Sequence, residues 1–367
     1  MYLTRKGKAP DQAHVGIPEG LCEEEHGREG FSGSASHLYR THPPTAWIKI
    51  EGPLKPRAFT CTAESLRSQA SDRPTPILQS PDASLLVLSL AGTMSRFARN
   101  ADGDEIHFVH DGAGRFETDY GILPYEPGDY VVIPKGTTYR IHVDTGPSFF
   151  FVVETPVPVA LPDRGPLGQH ALFDKGVLVV PELGPAEAVD RRDREWIVSI
   201  KRRGEYTHVT YPFYPMDVVG WKGDLWAAKL NVRDIRPITS PRYHLPPSVH
   251  GTFQAGGCLV STFVPRPMES DPEALRVPFY HRNTDYDEVL FYHQGDFFSR
   301  AGIQPGMLTL HPQGIHHGPQ PQAVAASRGK THTNEVAVMV ESKSPFTVMP
   351  GITSVEIQDY ALSWSRP

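Results

Sequence analysis

The sequence predicts a mainly β chain that folds as two tandem jelly-roll barrels behind an N-terminal extension, and three observations carry that prediction. Proline and glycine, 36 and 32 of 367 residues, are spread along the whole length, which is how many short strands joined by tight turns are punctuated. Apolar runs of strand length recur at residues 85–90, 130–134, 149–154, 177–180, 225–230 and 336–340, whereas long amphipathic helical patterns are scarce. Finally, a block of sequence occurs twice, as it does when a chain is built from a duplicated unit.

The duplication gives the order of elements. Residues 99–112, RNADGDEIHFVHDG, return as residues 282–295, RNTDYDEVLFYHQG, with eight of fourteen positions identical and no gap. Pro127-Gly128, followed by Pro134 and Gly136, is matched at the same spacing by Pro305-Gly306, Pro312 and Gly314. Each copy then runs into an apolar strand, FFFVVETP in the first and VAVMVESKSP in the second. Two motifs repeated in the same order divide the chain into residues 1–190, an extension and a first barrel, and residues 191–367, a second barrel. A length of 367 residues suits two domains better than one.

Composition narrows the function classes. A formal net charge of -6 and a pI near 6.3 offer no basic surface for nucleic acid or an anionic membrane. No apolar run approaches the roughly 20 residues that span a bilayer. The opening MYLTRKGKAPDQAH has basic residues without an apolar stretch after them, unlike a secretory signal. Cys22, Cys61 and Cys258 are odd in number and far apart, which points to reduced thiols in a cytoplasmic protein.

The repeated unit resembles the cupin fold, a small antiparallel jelly-roll barrel. The cupin motifs place a metal-binding His, a Glu and a Gly in one segment and Pro-x-Gly-x-x-His in a second. The second copy supplies His281, Glu288 and Gly295, then Pro312-Gln-Gly314-Ile-His316-His317; Asn283 stands where a further His is usual. In the first copy the positions of His281 and His317 are taken by Ala98 and Tyr139, and Glu105 alone survives. The first barrel is therefore expected to be structural and the second catalytic. Two imidazoles and a carboxylate on one face of a metal leave adjacent coordination positions open, the arrangement of non-haem Fe(II) oxygenases, although zinc or manganese accept similar ligands. His316 competes with His317, and the Pro-x-Gly-x-x-His spacing selects His317. For His250, His293 and His311 a supporting hydrogen bond or simple packing is the expected role.

The surroundings of these residues resemble homogentisate 1,2-dioxygenase. Pro278-Phe-Tyr-His281-Arg-Asn283, a following Glu, Leu-His311 and His317-Gly-Pro319 are similar to that family's iron-site signature. Further agreement lies at Pro18-Glu-Gly, Phe31-Ser-Gly-Ser-Ala35, Gly165-Pro-Leu-Gly168 and Asp217-Val-Val-Gly-Trp221. The chain is shorter than typical members, and the family's Gly-Phe-Gly-Asn opening is missing. The resemblance implies Fe(II) held by His281, Glu288 and His317, a base at His244 within His244-Leu-Pro-Pro-Ser248, and substrate contacts by His311, His317 and the residue at Phe297. Phe297 lacks the hydroxyl of the family's tyrosine there, and the spacing from His281 to Glu288 is one residue longer than in the family. The activity implied is ring cleavage of homogentisate by O₂ to maleylacetoacetate in tyrosine and phenylalanine catabolism. The partners implied are a small aromatic acid, O₂ and further copies of the chain in a trimer or hexamer. Two alternatives stand beside it: a dioxygenase for gentisate or another substituted hydroquinone acid, and, more distantly, a non-enzymatic ligand-binding bicupin.

Overall fold

The computed structural model describes residues 5–365 apart from 32, 63, 67–70, 184–191, 277–278, 298–299, 301 and 328. The division expected at residues 190–191 lies outside the described residues. Short strands joined by turns dominate the rest, in the two cupin barrels that the repeat predicts. In the first barrel the long strands Asp104–Thr118 and Thr138–Thr155 pair antiparallel, broken by register shifts where the sheet bends. The second is built on Cys258–Phe263, Val336–Ser342, Asp287–Gln294 and Met307–His311. Three of the predicted strands appear nearly as read, at Ser84–Leu90, Asp129–Ile133 and Val336–Ser342. Two do not. Residues 177–180 do not extend into a strand: Val177 ends a single 3-10 turn, and Val179 makes only an isolated bridge to Lys229, with Val179 and Val180 left exposed. The strand expected at 225–230 begins at Ala228, since Leu225 is in solvent.

The identities between the two copies prove to be a frame of turns. Asp104 accepts hydrogen bonds from the amides of Lys135 and Val159, both at 2.8 Å. Its counterpart Asp287 does the same for Gln313 and Phe346, at 2.8 and 2.7 Å. Asn100 and Asn283 each accept from the amide two residues on, the Asx-turn habit of that side chain. Gly112 and Gly295 both take positive φ, and a Cβ there would collide with Ser148 or with the Asn334 carbonyl. Only glycine fits that backbone.

Each barrel borrows an edge from the other half of the chain. Arg57–Thr60, from before the first barrel, pairs with Met307–His311 in the second sheet, and Thr347–Val348 pairs with Thr75–Gln79 in the first. The hairpin of Cys22–Gly27 and Ala35–Arg40 lies parallel to Tyr280–Asn283. One apolar core runs through both barrels. At its centre the repeat-equivalent pairs meet: Phe108 packs edge-on against Phe291 at 6.3 Å, and His110 Nδ1 lies 3.0 Å from His293 Nδ1, while Phe151 stacks on Phe291 at 4.8 Å.

Burial lowers the pKa of His110, and burial together with His110 brings His293 down to about 4. Below pH 6.5 the unfolded chain therefore takes up protons that the folded chain refuses until about pH 4. Stability should fall as pH drops through that window and be unaffected by this pair above it. His293→Gln is expected to reduce the pH slope of stability between pH 6.5 and 4 by about one proton, read from urea unfolding at several pH values. An unchanged slope would clear the pair of that role.

Candidate active site

His281 sits on Tyr280–Asn283, and His317 faces it across an antiparallel bridge in which each amide donates to the other's carbonyl at 2.9 Å. Ala98 and Tyr139 of the first barrel are opposed in the same way. Glu288 lies opposite Glu341 as Glu105 lies opposite Glu154. The two barrels thus share one strand register, and the donor atoms differ within it.

Backbone carbonyls decide which nitrogen each imidazole presents. His281 Nδ1–H donates to the Phe279 carbonyl at 3.1 Å and His317 Nδ1–H to the Ile315 carbonyl at 3.3 Å. Nε2 is left as the lone-pair nitrogen of each ring. Both Nε2 atoms are buried without a hydrogen-bond partner, and each lies 3.7 Å from an oxygen of Glu288. The donor atoms of the three residues all fall within 4.8 Å of one another. Leaving a buried polar atom unpaired costs about 1–3 kcal/mol. Two such atoms converging on one carboxylate form a set that a divalent cation would satisfy.

The charge states suit that set. Burial by itself would raise the Glu288 carboxyl, but His317 first, then His281 and His311, hold it well below the usual carboxylate range. Burial pushes His317 down to about 3. An ionised carboxylate beside a neutral imidazole is what metal binding requires. Glu341, next to Glu288 in the sheet, is pushed up to about 8 by burial and by Glu288. His311 is fully buried, donates from Nδ1 to Glu288 Oε1 at 2.8 Å, and stacks on His317 at 4.7 Å. It braces two of the three donors.

The trio opens onto a cavity that His281 and Glu288 share with His244, Phe279, Tyr292, Arg266 and Arg300. His244 is buried, and its Nδ1–H donates to Glu269 Oε1 at 2.6 Å, which leaves Nε2 able to accept a proton. Burial lowers its pKa despite Glu269, so it is neutral at physiological pH. Arg266 lies 3.6 Å from Glu335, and Arg300 donates to the Gly318 carbonyl at 2.6 Å beneath the Trp364 ring.

His250 is buried and also lines this cavity, whereas His316, His293 and Phe297 lie elsewhere. His316 bonds Glu24 at 2.9 Å, and His293 is at the barrel interface. Phe297 packs edge-on against Tyr292 at 4.8 Å, in an apolar cluster with Tyr360 and Trp364 and away from the cavity lining. Arg266, Arg300 and Glu269 were not singled out from the sequence. They come from loops and a short edge with no motif around them, and only the fold brings them to the cavity.

Comparison with known proteins matches two successive segments of the chain. Residues 79–232 match the family described as homogentisate 1,2-dioxygenase N-terminal, and residues 248–366 match homogentisate 1,2-dioxygenase C-terminal. The chain belongs to the homogentisate 1,2-dioxygenase family. It is 34% identical, over 99% of both chains, to a Saccharolobus solfataricus protein named a "putative dioxygenase". It is 29% identical to a homogentisate 1,2-dioxygenase of Rhodopseudomonas palustris, over 91% of this chain and 78% of that one. Among solved structures, a cupin 2 conserved barrel domain protein from Leptotrichia buccalis aligns with 81% of the chain at 10% identity and a TM-score of 0.34. As a member of the homogentisate 1,2-dioxygenase family the protein is an oxygenase. Among the described residues no helix is long and apolar enough to cross a membrane.

Proposed function

We propose that this oxygenase binds Fe(II) through His281, Glu288 and His317 and opens the aromatic ring of homogentisate. The observation that carries the reading is the pair of buried, unpartnered Nε2 atoms, each 3.7 Å from Glu288. Fe(II), when bound, supplies open coordination positions and the redox chemistry toward O₂. The chain's own residues do the rest. His311 holds Glu288 in place by its 2.8 Å hydrogen bond, as outer residues do for metal ligands. His244, oriented by Glu269, takes the phenolic proton at Nε2, within the ordinary reach of a histidine base. Arg266 and Arg300 give the cavity positive charge to match an acetate arm, and the Phe279 and Tyr292 rings border the space for an aromatic ring. The homogentisate 1,2-dioxygenases among the relatives support this choice of substrate.

Oxygen uptake by the Fe(II)-loaded protein, run against homogentisate, gentisate and other dihydroxyaryl acids, tests the reading. Homogentisate should give the highest kcat/KM. A preference for gentisate would reassign the substrate, and no uptake with any acid would remove ring cleavage altogether.

A further inference from the structure

Strand Cys22–Gly27 carries three consecutive glutamates, Glu23, Glu24 and Glu25, and all three are buried. Alternation along a strand sends Glu24 to one face and its two neighbours to the other. Glu24 is served by two guanidinium groups, Arg40 and Arg282 (the latter at 3.2 Å), and by the His316 ring at 2.9 Å. The opposite face is different. Among the described residues no lysine or arginine pairs with Glu23 or Glu25, and their ion-pair partners are imidazoles. His14 Nδ1 lies 2.5 Å from Glu23 Oε1 and His14 Nε2 lies 3.4 Å from Glu25 Oε2. His37, the cross-strand partner of Glu25, is 3.2 Å from the same Glu25 oxygen.

We infer that His14, Glu23 and His37 form a second divalent-metal site, with Glu25 supplying the second negative charge. Their donor atoms lie within 4.8 Å of one another. His14 is 2% exposed, and its Nδ1, despite the closeness of Glu23, makes no hydrogen bond. Glu23 is already steadied by the His14 amide at 3.1 Å and by the Tyr39 hydroxyl at 2.8 Å, the outer support that metal ligands have. Two carboxylates, two neutral imidazoles and one divalent ion sum to zero charge, the condition for burying them together. Nitrogen and oxygen donors in this number suit a first-row ion of the zinc class.

The site is a staple beside the catalytic cavity. The His14 ring packs on Phe279 at 4.7 Å and lies 6.0 Å from His244, while Glu25 is the register partner of His281. An ion there would pin the N-terminal hairpin to the wall of that cavity. The inference stands independently of the catalytic reading.

The test removes the catalytic donors first. His281→Ala/His317→Ala protein, checked for fold by circular dichroism, is titrated with Co²⁺ and followed by visible d–d absorption. One equivalent should bind. Adding His14→Gln or His37→Gln should then weaken binding by about tenfold or more. Absence of Co²⁺ binding in the folded double variant would overturn the site and leave an imidazolium held between Glu23 and Glu25. Binding unchanged by both glutamine substitutions would overturn it too. Because both imidazole donors of the catalytic set are gone from the start, neither result bears on that set.

Discussion

His317→Ala protein should lose one equivalent of bound iron and show no oxygen uptake above background. The ring is buried, its Nε2 is one of two unpartnered nitrogens facing Glu288, and nothing else within the bridge to His281 offers a donor in its place. His281→Ala and Glu288→Ala should behave alike, since two remaining donors leave the ion to water. Metal analysis after anaerobic Fe(II) loading, compared with the parent protein, reads the first effect and an oxygen electrode the second. The first barrel is an internal control: Ala98 and Tyr139 occupy the same strand positions, so Glu105→Ala should leave the iron content unchanged. Full iron retention in His317→Ala would mean that the donors are other residues.

His244→Phe is expected to keep its iron and lose about 10²–10⁴-fold in kcat, the usual contribution of a general base. Phenylalanine preserves the packing of the ring on Phe279 at 5.2 Å and removes only the nitrogen atoms. Glu269→Gln should give a smaller loss, because the amide can still face Nδ1 without holding the ring's tautomer as firmly. Turnover near the parent level in His244→Phe would take His244 out of the chemistry. Intact iron content is what separates this outcome from damage to the metal centre.

Much of this architecture was legible in the sequence for a specific reason. The positions shared by the two copies, Asp104 and Asp287, Asn100 and Asn283, Gly112 and Gly295, are those whose side chain or backbone the turns require, so they recur wherever the frame recurs. Against that constant background the exchange of His281 and His317 for Ala98 and Tyr139 stands out. The place of His311 beside Glu288 was less accessible, because it depends on the pairing of Met307–His311 with Asp287–Gln294, where the two residues are direct partners. Arg266 and Arg300 carry no periodic or spacing signal at all. Phe297 follows a glycine with positive φ, and its side chain is directed by that turn into the Tyr360 and Trp364 cluster. Residues 177–180 have the composition of a strand, but the 3-10 turn at Lys175–Val177 leaves only Val179 aligned with a neighbour, which composition does not report.

The exchanged edges have a consequence for how the protein is made. Residues 347–348 complete the edge beside Thr75–Gln79, so the first barrel is unfinished until the strands of the second have been synthesised. The second barrel, by contrast, waits for nothing after its own strands, since Arg57–Thr60 has been synthesised long before and must be held in reserve. Vectorial synthesis normally lets an N-terminal domain fold first and alone. Here the nascent first half carries one edge without its partner and another meant for a sheet not yet translated. Splitting the gene between the repeats would therefore yield two fragments, each missing a strand that only the other possesses.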